Sequence, residues 1–144
     1  MPVKWRNVTV CGIKSPDCST LQGGLTCSLD ADGNGVIEPA KDGMLILRRL
    51  MGFSGAALTA GLSIAAPACR TEPTEIAAFI DAQNLDLDQS GGLTPKTALT
   101  DGLMLLRVML GLTGTAVTQG LSSKPWTTVR DHLNGACGVS PALS

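Results

Sequence analysis

The sequence predicts a mostly α protein in which two tandem repeats, each an acidic loop, a helix, a second loop and a second helix, pack into one small domain. Two observations predict it. First, the chain lies over itself: shifted by 56 residues, LDADGNGVI (29–37) matches LDLDQSGGL (85–93). Shifted by 59, DGMLILRRLMGFSGAALTAGL (42–62) matches DGLMLLRVMLGLTGTAVTQGL (101–121), with ten of 21 positions identical, too many in register for chance. Second, seven of the twelve acids (Asp30, Asp32, Glu38, Asp42, Asp86, Asp88, Asp101) fall in two short windows just ahead of the same apolar run. Like charges crowded this way repel unless something positive sits among them.

At 144 residues the chain suffices for one domain with a real core or two very small ones. The organisation expected is an N-terminal extension (1–24), repeat one (25–84) and repeat two (85–144). The net charge of −1 supplies no field that would draw the chain to nucleic acid. Aromatic residues are scarce and Tyr is absent, so the core must be built from Leu, Ile, Val, Met and Ala.

Taken in order, the extension holds the only hint of strand alternation, Lys4 to Val10. It also holds Asn7-Val8-Thr9, which fits a glycosylation sequon. The start, Met1-Pro2-Val3-Lys4, has no apolar signal region, so an exported chain would here be a mature fragment. Repeat one then gives its acidic loop and a helix over 43–51, apolar nearly all round and therefore expected to be buried. Arg48 falls in the last turns of that helix, where a cation suits the dipole, and Gly52 falls where a C-cap is expected. A Gly/Thr/Ala loop follows. The second helix, about 73–83, starts at Pro73 and lines up Ile76, Phe79 and Ile80. Repeat two reads alike: helix 102–110, Arg107, Gly111, then a helix over about 125–134 with Pro125, Trp126, Val129 and Leu133. Gly111, Gly114 and Gly120 break up 102–121, and Arg48 and Arg49 interrupt 43–62, so neither stretch reads as a transmembrane segment.

The acids of the first loop have a defined spacing. Counted from Asp30, oxygen-bearing side chains fall at position 1 (Asp30), 3 (Asp32) and 5 (Asn34). Gly35 is at the sharp turn, position 6, and Val36 offers a main-chain carbonyl at 7. Ile37 is the apolar anchor at 8, and Glu38 stands at 9. This is the order of an EF-hand calcium loop. Hard oxygen donors with no His or Cys among them select calcium over transition metals. Position 12, where an EF-hand carries a bidentate Glu, is Lys41, and the closing acid is Asp42 at 13. In the second loop the set is Asp86, Asp88, Ser90 and the Gly92 carbonyl, with Gly91 at the turn and Asp101 closing at position 16. Ser90 is a weaker donor than Asn34 and Thr94 replaces Glu38, so two Ca2+ ions are expected, the second more weakly held. Two plainer readings compete. Asp42 and Asp101 can serve as helix N-caps, and the D-x-D-x-N/S-G runs can form Asx turns without metal. Arg48 and Arg107 read as cap or core-edge residues.

At Leu29-Asp30-Ala31-Asp32-Gly33-Asn34-Gly35 and Asp42-Gly43-Met44-Leu45-Ile46-Leu47-Arg48 the chain resembles the dockerin family and its relatives in bacterial extracellular and surface proteins. The resemblance covers about 29–62 and 85–121. It implies two dockerin-like calcium loop–helix units lacking the entering helix of a full EF-hand. It also implies calcium ligation by Asp30, Asp32, Asn34, Val36 and Asp42, and by Asp86, Asp88, Ser90, Gly92 and Asp101. The repeat spacing is longer than in compact dockerins, so a cohesin partner does not carry over.

The five cysteines (Cys11, Cys18, Cys27, Cys69, Cys137) form no C-x-x-C pair, and His132 is the single His, which disfavours zinc against disulfides. A Cys27–Cys137 bridge would staple the two ends of the tandem together. Cys11–Cys18 is a second pairing, leaving Cys69 over, and sequence alone does not choose among the pairings. Cysteine use of this kind suits an oxidising compartment: extracellular, cell surface or periplasmic. The leading expectation is a calcium-stabilised structural or protein-interaction module, with a protein partner or self-assembly and no small-molecule substrate. With one His and its acids assigned to loops, the chain carries no catalytic constellation and is not expected to be an enzyme. The alternative is a calcium-responsive switch exposing a Met/Leu-rich surface built from Met44, Met51, Met104 and Met109.

Overall fold

The structure, a computed structural model, describes residues 27–64, 68–93, 95–139 and 142–144. The extension, with its Lys4–Val10 stretch, its sequon and the Cys11–Cys18 pairing, lies outside the described residues, as does Thr94. The described chain is mostly helical, without a β-strand. Six α-helices occur: α1 (Met44–Leu50), α2 (Ala56–Thr59), α3 (Pro73–Ala82), α4 (Leu103–Met109), α5 (Thr115–Thr118) and α6 (Trp126–Gly135). A single π-turn precedes α1 (Pro39–Gly43) and another precedes α4 (Ala98–Gly102). The element order of the first half thus recurs in the second.

Local sequence explains most boundaries. Gly52 ends α1 and Gly111 ends α4: Phe53 N donates to Arg48 O at 2.9 Å, and Leu112 N to Arg107 O at 3.0 Å. These are the six-to-one bonds of a Schellman cap, as Gly at that position predicts. Pro73 opens α3, where its missing N–H costs nothing, and Pro125 immediately precedes α6. Two expectations are corrected. The Gly/Thr/Ala segments are not simple loops, because each contains a short helix, α2 or α5. Four residues hold no readable periodicity, and these helices are held from outside: Arg48 Nη1 donates to Leu58 O (3.0 Å) and Ala60 O (2.8 Å), and Arg107 Nη1 to Val117 O (3.0 Å) and Gln119 O (2.9 Å). The two arginines therefore cap the carbonyl ends of neighbouring short helices. Nor is α1 buried all round. Leu45 and Ile46 are buried, the rest of the helix is half-buried, and Met51 beyond it is exposed.

One core serves the whole described chain. Leu29, Leu45, Ile46, Leu58, Ile76 and Ile80 from the first half join Leu85, Leu87, Met104, Leu105, Met109, Val117, Val129 and Leu133 from the second. The two halves cross closely where each π-turn ends in glycine. A Cβ at Gly102 would lie 2.9 Å from Leu47 Cδ1, and one at Gly43 would lie 3.0 Å from Met109 Sδ. Cys27 and Cys137 form a disulfide, tying the start of repeat one to the end of repeat two. Cys69 is also disulfide-bonded, so the expectation that it would be left over is corrected. None of the described helices is long and apolar enough to cross a membrane.

Candidate metal centre

Each acidic loop folds back onto the turn that starts the next helix. In the first, Asp30 accepts at Oδ1 from Gly33 N (3.0 Å) and Asn34 N (3.2 Å), and at Oδ2 from Gly35 N (2.9 Å). Asp32 Oδ1 accepts from Asn34 N at 3.3 Å, and Asn34 Oδ1 from Val36 N at 2.8 Å. These Asx-type bonds wind the backbone round its own carboxylates. Asp42 closes the loop: Oδ1 accepts from Ala31 N (2.8 Å) and Oδ2 from Glu38 N (2.8 Å). Asp42 is therefore not an N-cap. It sits inside the π-turn and reaches back to the N–H of Glu38, the residue in the cap position, as the acid of a capping box does. The extra residue of the π-turn explains why the closing acid follows Lys41.

The second loop repeats the scheme. Asp86 accepts from Ser90 N (3.0 Å), Ser90 Oγ (3.1 Å) and Gly91 N (2.9 Å). Asp101, inside its own π-turn, accepts from Leu87 N (2.8 Å) and Thr97 N (2.9 Å). In each loop three carboxylates offer oxygens within 4.8 Å of one another: Asp30, Asp32 and Asp42, then Asp86, Asp88 and Asp101. Asn34 and Ser90 join through the loop bonds above. The Glu38 carboxylate is not among the three; it stands 3.6 Å from Lys41 Nζ. Val36 is exposed at the outer turn, and so is Gly92. Cys27, His132 and Cys137 also converge, but their two sulfurs are bonded to each other.

The two clusters differ in electrostatics. Asp30, Asp32 and Asp42 are wholly buried. Burial pushes the Asp42 carboxyl up to about 8, with the charges of Asp30 and Asp32 adding to the rise and the Glu38 N–H opposing it. Burial likewise pushes Asp30 up to about 6, against the Gly35 N–H and with Asp32 adding. One atom stands out: Asp32 Oδ2 is the only described buried side-chain oxygen or nitrogen without a hydrogen-bond partner. Lys41 Nζ lies 3.9 Å away, beyond hydrogen-bond reach. In the second cluster the corresponding oxygen, Asp88 Oδ2, accepts from Ser122 Oγ at 2.6 Å. Burial raises Asp88, but the hydroxyl of Ser122 and the groups of Ser90 outweigh it and hold its carboxyl below the usual range. Asp101 is raised by burial, against the N–H groups of Thr97 and Leu87.

Sequence reasoning missed Arg70. Its buried guanidinium donates to Asp30 O (2.7 Å) and Ala31 O (2.8 Å) and stacks 3.5 Å from the centre of the Phe79 ring. Arg70 N and Cys69 N pair with Asp32 O and Gly33 O. This cation sits behind the first loop and orients its backbone. It lies in the 13-residue link 60–72 between α2 and α3, whereas 119–125, only seven residues, joins α5 to α6. No repeat comparison could have located it, because the second half lacks the segment. Comparison with protein-family models, curated proteins and solved structures finds no match for this chain.

Proposed function

We propose that this protein is a calcium-binding, calcium-stabilised module of dockerin-like tandem architecture. On this reading it acts as a structural or protein-interaction element in an oxidising, extracellular setting, and it is not an enzyme. The observation that carries the reading is Asp32 Oδ2. A carboxylate oxygen buried without a partner costs about 1–3 kcal/mol or more, and here two further buried carboxylates converge on the same point. A hard divalent cation satisfies all three, and the all-oxygen donor set suits calcium. Asp30, Asp32, Asn34 and Asp42 would hold the first ion, and Asp86, Asp88, Ser90 and Asp101 the second. The ion supplies positive charge, and the protein supplies the convergent geometry. The disulfides fit export. Met104 and Met109 lie in the core, so a switch that presented them would have to open it. That favours a stabilised module over a switch.

The test is calorimetric calcium titration of chelator-stripped protein, with thermal melts before and after, on the wild type and on Asp32→Asn. Two ions and a large rise in melting temperature, with the first site lost in the variant, support the reading. No heat and an unchanged melt overturn it.

A further inference from the structure

We propose that His132, carried by α6, is a positioning residue that holds the second acidic loop in ion-ready shape; the inference rests on the calcium reading above. It starts from Gln89. Gln89 is the only described non-glycine residue with positive φ, at 54°. It occupies position 4 of its loop, where the first loop has Gly33 at φ 72°. An L-residue in the left-handed region is strained by about 1–2 kcal/mol, and such a conformation persists only where its surroundings enforce it.

Side-chain contacts from Gln89 itself and from α6 enforce it. The Gln89 side-chain amide nitrogen donates to Asp86 O and also lies 3.0 Å from His132 Nδ1. A carbonyl oxygen can only accept, so Asp86 O fixes which end of the amide is nitrogen. That nitrogen donates to Nδ1 in turn, so Nδ1 is the bare ring nitrogen. Nε2 then carries the proton and donates to Asn84 O at 2.8 Å. One imidazole tautomer thus satisfies every group and grips the loop at two points, at Asn84 two residues before Asp86 and at Gln89 between Asp88 and Ser90. The ring is buried. Its helix is anchored, because Ala136 N and Cys137 N both return to His132 O and Cys137 is bonded to Cys27. The first loop has glycine at position 4 and needs no such clamp.

The experiment uses His132→Leu, Gln89→Gly and the double variant. Each is read by two-site calcium calorimetry and by amide hydrogen exchange of Ser90 and Gly91 in chelator-stripped protein. Release of the strained residue in His132→Leu should speed loop-two exchange and weaken the second site by about tenfold, the equivalent of about 1.4 kcal/mol, with the first site unchanged. Gln89→Gly alone should remain near wild type. In the double variant the loss should vanish, because glycine adopts the left-handed conformation without a clamp. Equal weakening of both sites, or a double variant as impaired as His132→Leu, overturns the positioning role. If the wild type binds no calcium, the calcium reading fails, and the exchange rates of the stripped proteins still decide whether His132 holds the loop.

Discussion

Stripped of metal, this protein should lose stability as pH rises from about 4 to 8, which is unusual for a chain whose ionisable side chains are mostly carboxylates and cations. The perturbation is pH itself, applied with and without calcium. The Asp42 carboxyl has a folded value of about 8 against 3.8 for an unperturbed Asp. A group raised on folding contributes stability that is fully present below its unfolded value and is lost as pH climbs through its folded value. A rise of roughly four units at about 1.36 kcal/mol each gives a loss of about 5 kcal/mol between pH 4 and pH 8. Asp30, raised to about 6, acts in the same direction. Its rise comes first from its own burial, with Asp32 adding, so the figure for Asp42 alone is a lower bound on the loss. Asp81 is held low by its hydrogen bonds and ion pair with Arg49, and Asp88 is also low. Stability from those two is lost only as pH falls below the ordinary carboxylate range, outside this window.

For a chain of this size 1 kcal/mol corresponds to roughly 2–4 °C in melting temperature, so the stripped protein should melt roughly 10–20 °C lower at pH 8 than at pH 4. A bound cation reverses the sense, because it favours the ionised carboxylates that burial disfavours. The stabilisation by saturating calcium should therefore grow with pH and be largest near 8. Differential scanning calorimetry of metal-stripped and calcium-loaded protein across pH 4–8 measures both. A stripped protein more stable at pH 8 than at pH 4, or a calcium increment that does not grow with pH, would refute the reasoning.

Three further outcomes follow from particular contacts. Replacing Cys27 and Cys137 together by Ser opens a loop spanning 110 residues. Denaturant titration should show a loss of about 4–5 kcal/mol in the chain-entropy model. Arg70→Met should cost about 2–4 kcal/mol by the same assay, since it strands two buried carbonyls, Asp30 O and Ala31 O; a cost below about 1 kcal/mol would mean that the first loop holds its shape unaided. Gly102→Val should cost about 1–3 kcal/mol through overpacking against Leu47 and Leu50, where the two halves cross, and a neutral melt would show that this crossing yields.

Much of the helical plan was legible because it depends on short-range chemistry. Gly52 and Gly111 announce their caps, Pro73 announces α3, and the Ile76–Phe79–Ile80 spacing is the spacing of a buried stripe. The Cys27–Cys137 pairing was suggested for a different reason: the repeat frame placed those residues at the two ends of the tandem, although the sequence left the choice among pairings open. What failed was whatever depends on contacts across the fold. The π-turns at Pro39–Gly43 and Ala98–Gly102 arise because Asp42 and Asp101 must reach two separate backbone segments, and no local periodicity encodes that. The same holds for α2 and α5, whose ends are capped by arginines ten or more residues earlier. The Asp32, Asp42 and Asp101 positions were visible as residue types at a spacing, but the missing partner of Asp32 Oδ2 is a property of packing alone.

The two loops meet one electrostatic problem in different ways, and the reason lies outside the repeated residues. Both must bury converging carboxylates beside a core. The longer link ahead of α3 brings Cys69 and Arg70 against the backbone of the first loop, which fixes its carbonyls but leaves Asp32 Oδ2 facing two buried acids with no donor. The shorter link ahead of α6 instead delivers Ser122, whose hydroxyl satisfies Asp88 Oδ2, while α6 delivers His132 to Gln89. The second loop is therefore largely completed by the protein's own groups, whereas in the first the cation nearest Asp32 Oδ2, Lys41 Nζ, stays 3.9 Å away, which leaves room for the proposed ion to complete the site. It follows that the free energy gained on cation binding should be concentrated at Asp30, Asp32 and Asp42. The second loop, already satisfied, has less to gain, which is the physical ground for ranking it the weaker site.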